Sequence, residues 1–197
     1  RPAPLEGGLI KRQWWRRYRE PPAHFDMVVT SWDTAVKDEP DSYVVGQVWG
    51  RKGADSYLLD QFRARVDFPE TVRAIRGMAA KWPQATAHFV EDKANGPAVM
   101  AMLRSEISGL IAVEPQGSKL QRANAVTPAI EAGNVYLPES VPWLVDFIEE
   151  CCAVPNSAHD DQVDAMSQAL SRIRTSGSWV SAPRVATEGA RLRNLDL

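Results

Sequence analysis

The spacing of apolar residues changes several times along the chain, and each change predicts an element. Residues 25–33, "FDMVVTSWD", form an apolar run too short for a helix and end on an aspartate, which predicts a buried strand. "SYVVGQVWG" (42–50) and "SYLLDQFRARV" (56–66) combine β-branched and aromatic residues with partial alternation, and "RKGAD" between them predicts a turn. The period then lengthens. "FPETVRAIRGMAAKW" has helical spacing, with Pro69 and Glu70 suited to a first turn and Pro83 ending it. "ATAHFVED" predicts a fourth strand, with Asn95 placed to cap a helix over "GPAVMAMLRSEI", and "GLIAVEP" a short fifth strand. "SKLQRANAVTPAIEAG" predicts a helix closed by a glycine, and "PWLVDFIEECC" and residues 160–173 two more.

The predicted order is β-β-β-α-β-α-β-α, followed by the two further helices. Three strands joined by short turns should be antiparallel, and two strands reached through helices should be parallel. The expected fold class is therefore α/β, a five-stranded mixed sheet flanked by helices. Residues 1–24 are expected to be a linker: "RPAPLEGG" is rich in Pro and Gly, and "PPAH" breaks the chain before the core. Between these, "LIKRQWWRRYRE" interleaves aromatic and basic residues; its aromatics are expected to pack on the body or a neighbouring domain, with a grip on DNA as the alternative. Residues 25–174 form the domain, and 175–197 lack a sustained apolar period and are expected to be a flexible tail.

Composition adds exclusions. A hydrophobic content of 44% and a charged content of 24% suit a globular protein of 197 residues. A net charge of −2 excludes nucleic-acid binding by bulk positive charge alone, but not by a local patch. The two cysteines, Cys151 and Cys152, are adjacent and have no distant partner, which fits a reducing compartment. No apolar run approaches a membrane span, so no membrane partner is expected.

The candidate chemistry is carboxylate. Asp33 ends the first strand, Glu91 and Asp92 the fourth, and Asp160, Asp161 and Asp164 open the last helix. One acid at a helix start is explained by capping and the helix dipole, a duty expected of Asp160; three need another reason. If the first and fourth strands are neighbours, their ends and the helix start meet at one rim. Only one of Glu91 and Asp92 can face it, and two-residue spacing from Phe89 favours Glu91. Clustered carboxylates raise one another's pKa unless a cation compensates. Oxygen ligands without His or Cys select Mg²⁺ or Mn²⁺, and two such ions suit phosphodiester hydrolysis. Helical spacing leaves the choice among Asp160, Asp161 and Asp164 open. Each acid also has a purely structural reading as a turn or capping residue. His159 is expected to make a local hydrogen bond. Lys93, Lys119 and Arg122 follow the acids closely and can hold DNA phosphates or bridge to the acids.

Five stretches together, "VVTSWDTAVKDEPDSYVVG", "YLLDQFRARVDFPE", "VEDKANGPAVMAML", "GSKLQRANAVTPAIEAGNVYLPE" and "HDDQVDAMSQAL", resemble the nuclease domain of the large terminase subunit of tailed bacteriophages, an RNase H-like fold. The resemblance runs from about residue 9 to 174. It implies a metal-dependent endonuclease that cuts concatemeric viral double-stranded DNA during genome packaging in the infected bacterium's cytoplasm. The acids implied are Asp33, Glu91 and members of the Asp160, Asp161 and Asp164 group, ranked Asp161, Asp164, Asp160. Lys93, Lys119 and Arg122 match the family's basic positions. Family members also carry an N-terminal packaging ATPase domain and work with the portal and the small terminase subunit. No G-x-x-x-x-G-K-[ST] occurs here, so ATP binding is not expected of this chain. The alternatives are another RNase H-like nuclease, of junction resolvase or transposase type, or a non-cleaving module that clamps DNA or docks a motor.

Overall fold

The structure, a computed structural model, describes residues 8–34 and 42–175. The start of the expected linker and the expected tail beyond Thr175 lie outside the described residues. After a single 3-10 turn at Arg12–Trp14, the elements are β1 (Arg16–Tyr18), β2 (Met27–Asp33), β3 (Val44–Lys52), β4 (Asp55–Ala64), α1 (Phe68–Lys81), β5 (Ala87–Glu91), α2 (Gly96–Leu103), β6 (Leu110–Val113), α3 (Lys119–Glu131), β7 (Val135–Pro138), α4 (Leu144–Ala153) and α5 (Asp161–Thr175).

The expected core of this arrangement is present. β2, β3 and β4 form an antiparallel meander, while β5 runs parallel to β2 and β6 parallel to β5. The sheet has seven strands rather than five, in the order β1-β7-β4-β3-β2-β5-β6. The two unexpected strands, β7 parallel to β4 and β1 parallel to β7, extend the edge far from β6. They span only four and three residues, too few for alternation to register. Aromatic contacts lock them in place: Tyr136 stacks on Tyr57 at 4.7 Å, and Tyr18 donates a hydrogen bond to the Leu58 carbonyl at 2.6 Å. Ile10 and Trp15 are buried in the same core, so part of the segment read as linker packs on the body.

Strand alternation divides the interior in two. Val28, Trp32, Val44, Val48 and Val90 face α1 and α2. Val29, Trp49, Phe89 and Val113 face α3, α4 and α5. The α1 start carries a reciprocal capping box, Asp67 with Glu70, and the α3 start another, Ser118 with Gln121. The α3 helix ends at Gly133, whose positive φ of 79° suits a residue without Cβ. Asn95 precedes α2 but its side chain does not cap that helix.

Candidate metal centre

The site is assembled by the α3–α5 face of the sheet. Because β2 and β5 are parallel neighbours, paired from Val29↔Ala87 to Trp32↔Val90, their C-terminal ends reach the same rim. Asp33 and Glu91 are the last residues of these strands. Glu91 continues the face of Phe89, as its spacing predicts, while Asp92 is exposed. Gly96 sits so close to the Glu91 carbonyl that a Cβ would overlap it, and the α2 start is thereby brought against the β5 end.

The α5 helix crosses β2 and β3, and hydrogen bonds fix its height on the sheet. Ser31 Oγ donates to the Ala165 carbonyl at 2.7 Å, and Gln168 Nε2 donates to Ser31 Oγ at 2.9 Å. Gln47 Nε2 donates to the Gln162 carbonyl at 3.1 Å. Val163, Met166, Ala169, Leu170 and Ile173 fill the core beneath the helix. Asp161 and Asp164 thus stand in its first turn, at the rim where β2 and β5 end.

The expected capping duty of Asp160 is not observed. Its side chain turns to Lys119, at 2.6 Å. Glu150 of α4 caps α5 instead: its Oε1 accepts the Gln162 amide at 2.7 Å and the Val163 amide at 3.3 Å. In α4 an acid from a distant turn offers the geometry that a residue immediately preceding the helix would otherwise supply.

Electrostatics set these acids apart from ordinary surface carboxylates. Asp33 opens onto a cavity but is otherwise surrounded by protein. This desolvation, then Glu91, Asp164 and Asp161, push its carboxyl well above the usual range, with Lys119 opposing. Desolvation and then Asp160 also raise Asp161. Burial alone would lower Lys119, but its bonds to Asp160 and Asp164 hold its ammonium above the ordinary lysine range. Lys119 is 3.1 Å from Asp164, and Arg122 reaches Asp164 at 2.8 Å and Glu91 at 3.9 Å. Lys119 and Arg122 therefore bridge to the acids, one of the two roles open to them. Lys93 is exposed and makes none of these ion pairs.

A cavity of about 220 Å³ opens beside the carboxylates, and Asp33, Glu91, Arg122 and Asp164 line it together with Gln121 and Gln168. Among the described residues no three His, Cys, Asp or Glu side chains form a ready-made ligand cluster, and cations bridge to Asp160 and Asp164. In kind, the donors fit a hard divalent cation: all are carboxylates, and Asp33 sits among like charges that one would relieve.

Two groups near the site escape sequence reasoning. One is Glu150, with Gln47, Gln61 and Gln162. The other is Tyr43, which carries the Arg63 guanidinium 3.8 Å from its ring and packs edge-on against His159 at 5.2 Å. His159 is thus placed by an aromatic contact.

No helix among the described residues is long and apolar enough to cross a membrane. Residues 30–172 match a family described as the terminase RNase H-like domain. No curated protein matches the chain. Among solved structures, the large terminase nuclease of thermophilic phage G20c with bound zinc aligns with a TM-score of 0.63 at 15% identity, over 84% of this chain and 96% of that one. The same nuclease with bound magnesium gives 0.60 and 13%, over 84% and 95%. The large terminase of thermophilic bacteriophage D6E in complex with ADP gives 0.64 and 11%, over 83% of this chain and 44% of that one. The chain therefore spans less than half the length of the D6E proteins it matches. At these identities the structural likeness is one of fold. The family match covers most of the sheet and its helices, and the chain belongs to the terminase RNase H-like domain family.

Proposed function

We propose that the chain is the nuclease domain of a terminase large subunit, a divalent-metal-dependent endonuclease that cuts concatemeric viral DNA during packaging. The observation that carries the reading is Asp33, a carboxylate surrounded by protein at the end of β2 with Glu91, Asp164 and Asp161 as its charged neighbours. A scaffold gains nothing from holding repelling carboxylates on three separate elements. A metal-dependent hydrolase needs them.

In this reading Asp33, Glu91, Asp161 and Asp164 hold the metals, and Asp160 supports them through Lys119. A pair of Mg²⁺ or Mn²⁺ ions, when bound, supplies water activation and relief of charge on the leaving oxygen of a phosphodiester. Strand-borne Asp33 and Glu91 provide fixed ligands, since each is the last residue of a strand paired with its neighbour. Lys119 and Arg122 exchange their acid partners for DNA phosphates, and Lys93 meets the backbone farther out on the rim. Nothing in the site is built to read bases, so cleavage shows little sequence preference. The ATPase domain, portal and small subunit belong to the complete packaging machine, in the cytoplasm of the infected host.

The test is nicking of supercoiled plasmid in Mn²⁺. Asp33→Ala should cut at least about 100-fold more slowly than the parent, in line with removal of a principal electrostatic group. Equal cutting by the two proteins would overturn the assignment.

A further inference from the structure

A buried chain of amides runs from the middle of the sheet to the first turn of α5, and all its bonds point the same way. Trp49 Nε1 donates to Gln47 Oε1 at 2.9 Å, and Gln47 Nε2 donates to Gln61 Oε1 at 2.8 Å. Gln61 Nε2 then donates to Gln162 Oε1 at 2.8 Å, and Gln162 Nε2 to Glu150 Oε2 at 2.6 Å. Arg63 Nη2 approaches the same oxygen at 3.5 Å, while Glu150 Oε1 takes the Gln162 and Val163 amides. Trp49, Gln47 and Gln162 are wholly buried, Gln61 and Glu150 nearly so.

The direction of the chain depends on its terminus. Each glutamine has its oxygen occupied by the preceding donor, so it must donate onward, and the last group must accept from every side. Only an ionised carboxylate does this, the form Glu150 takes above about pH 7, so the assays below are run at pH 8. The segment it grips, Gln162–Val163, lies between Asp161 and Asp164. Gln47 also binds the Gln162 carbonyl, so the same residue is held by side chain, amide and carbonyl. A network serving packing alone has no need to converge on the one dipeptide flanked by the two acids.

We infer that Glu150 is a positioning residue of the metal centre. Through the amide relay it sets the height and rotation of the first turn of α5, and so where Asp161 and Asp164 stand relative to Asp33 and Glu91. This rests on the nuclease reading above. Partners one bond removed from metal ligands typically change metal affinity by about 10–100-fold when altered.

The experiment compares the parent, Glu150→Gln, and the double variant Glu150→Gln with Gln162→Glu. Mn²⁺ binding is read from the electron paramagnetic resonance signal of the free ion, and plasmid cleavage is titrated with Mn²⁺ in parallel. In the single variant an amide donor faces donors. In the double variant the amide at 150 donates to the carboxylate at 162, which still accepts from Gln61, and its oxygen still caps α5. The single variant should raise half-saturating Mn²⁺ at least about tenfold in both assays, and the double variant should return it to within about threefold of the parent. Circular dichroism without Mn²⁺ checks that each variant is folded, because an unfolded fraction would itself raise half-saturating Mn²⁺. Unchanged half-saturation in the single variant, or no recovery in the double, overturns the inference. Should the single variant not fold, Gln61→Met cuts the relay without altering a charge, and parental Mn²⁺ affinity there overturns it equally. A parent that neither binds Mn²⁺ nor cuts DNA instead refutes the nuclease reading.

Discussion

Replacing Gly46 with alanine adds one methyl group at a place where the sheet has no room for it. Gly46 pairs with Trp32 across β2 and β3. A Cβ built there would lie 2.5 Å from Trp32 Cε3 and closer still to Cζ3 and Cη2. Carbon pairs settle at about 3.5–4.0 Å, so the indole must shift by about 1 Å or more. It is poorly placed to do so: Trp32 is fully buried, faces Phe62 at 6.1 Å between centroids, and donates to Thr30 Oγ1 at 3.2 Å. Overpacking of this kind costs about 1–3 kcal/mol, and losing the indole bond about 1 more. For a chain of this size, about 2–4 °C of melting temperature corresponds to each kcal/mol, so G46A should melt about 4–16 °C below the parent. Gly77 supplies the control. It lies inside α1 with nothing within 4 Å of a built Cβ, so G77A should be stabilised by about 0.5–1 kcal/mol. Thermal melts followed by circular dichroism compare the two. Because Trp32 immediately precedes Asp33, Mn²⁺-dependent cutting by G46A should fall further than its folded fraction. A G46A protein melting within 1 °C of the parent, or as high as G77A, would refute the reasoning.

Three other outcomes are expected. Removing Arg122 leaves Asp164 with Lys119 alone, so R122A should lose about 1–3 kcal/mol without metal, and Mn²⁺ should raise its melting temperature more than the parent's; equal shifts would contradict the ion-pair geometry. Leu170 is fully buried under α5, and L170A should cost about 2–5 kcal/mol by urea titration, with the spread set by how far the cavity collapses. Burial pushes the Glu150 carboxyl up to about 7 from an ordinary 4.5, outweighing the bonds from Gln162 and Val163 and the Arg63 charge that favour ionisation. The folded protein then holds the Glu150 proton more tightly than the unfolded chain. This residue's contribution must therefore fall as pH rises from about 4.5 to 7, by about 3 kcal/mol in all, and stay level above. Urea midpoints at pH 5 and pH 8 should converge in E150Q relative to the parent, and identical slopes in both proteins would refute the sign.

The parts of this fold legible in the sequence are those with enough residues for a period to declare itself. "FDMVVTSWD" and "SQALSRI" announce a strand and a helix because both carry several consecutive buried positions. β1 and β7 did not, since "RRY" and "VYLP" are held by pairing and tyrosine contacts across the chain rather than by local pattern. The acids were legible because strand ends and helix starts are local features, whereas the pairing of β2 with β5 enters the sequence reading only as a condition, which the sheet order meets. Their supports were not. Glu150 sits beside Glu149 in a helix where both read as solvent-facing, and Gln47 and Gln61 look like the polar side of half-exposed strands. Only the packing of α5 over that side of the sheet turns them inward. Lys119 and Arg122 show another limit: their sequence positions leave phosphate binding and a bridge to the acids equally open, and only packing brings them onto Asp160 and Asp164.

From Gln162 to Leu170 the α5 helix is enclosed almost continuously, Gln168 alone being partly exposed. Most helices keep one broad face in solvent and can drift a fraction of a turn when a sequence changes; over this stretch α5 is open only along the stripe of Asp164, Ser167 and Gln168 that lines the cavity. Variation in such a protein cannot retune the distances between acids by sliding the helix that bears half of them. Adjustment to another ion or substrate must enter through the parts that touch the centre from outside the core, the β5–α2 turn with Lys93 and the α3 start with Lys119 and Arg122. Drift in related chains should accordingly concentrate there, while the helix interior changes only in company with the strands beneath it.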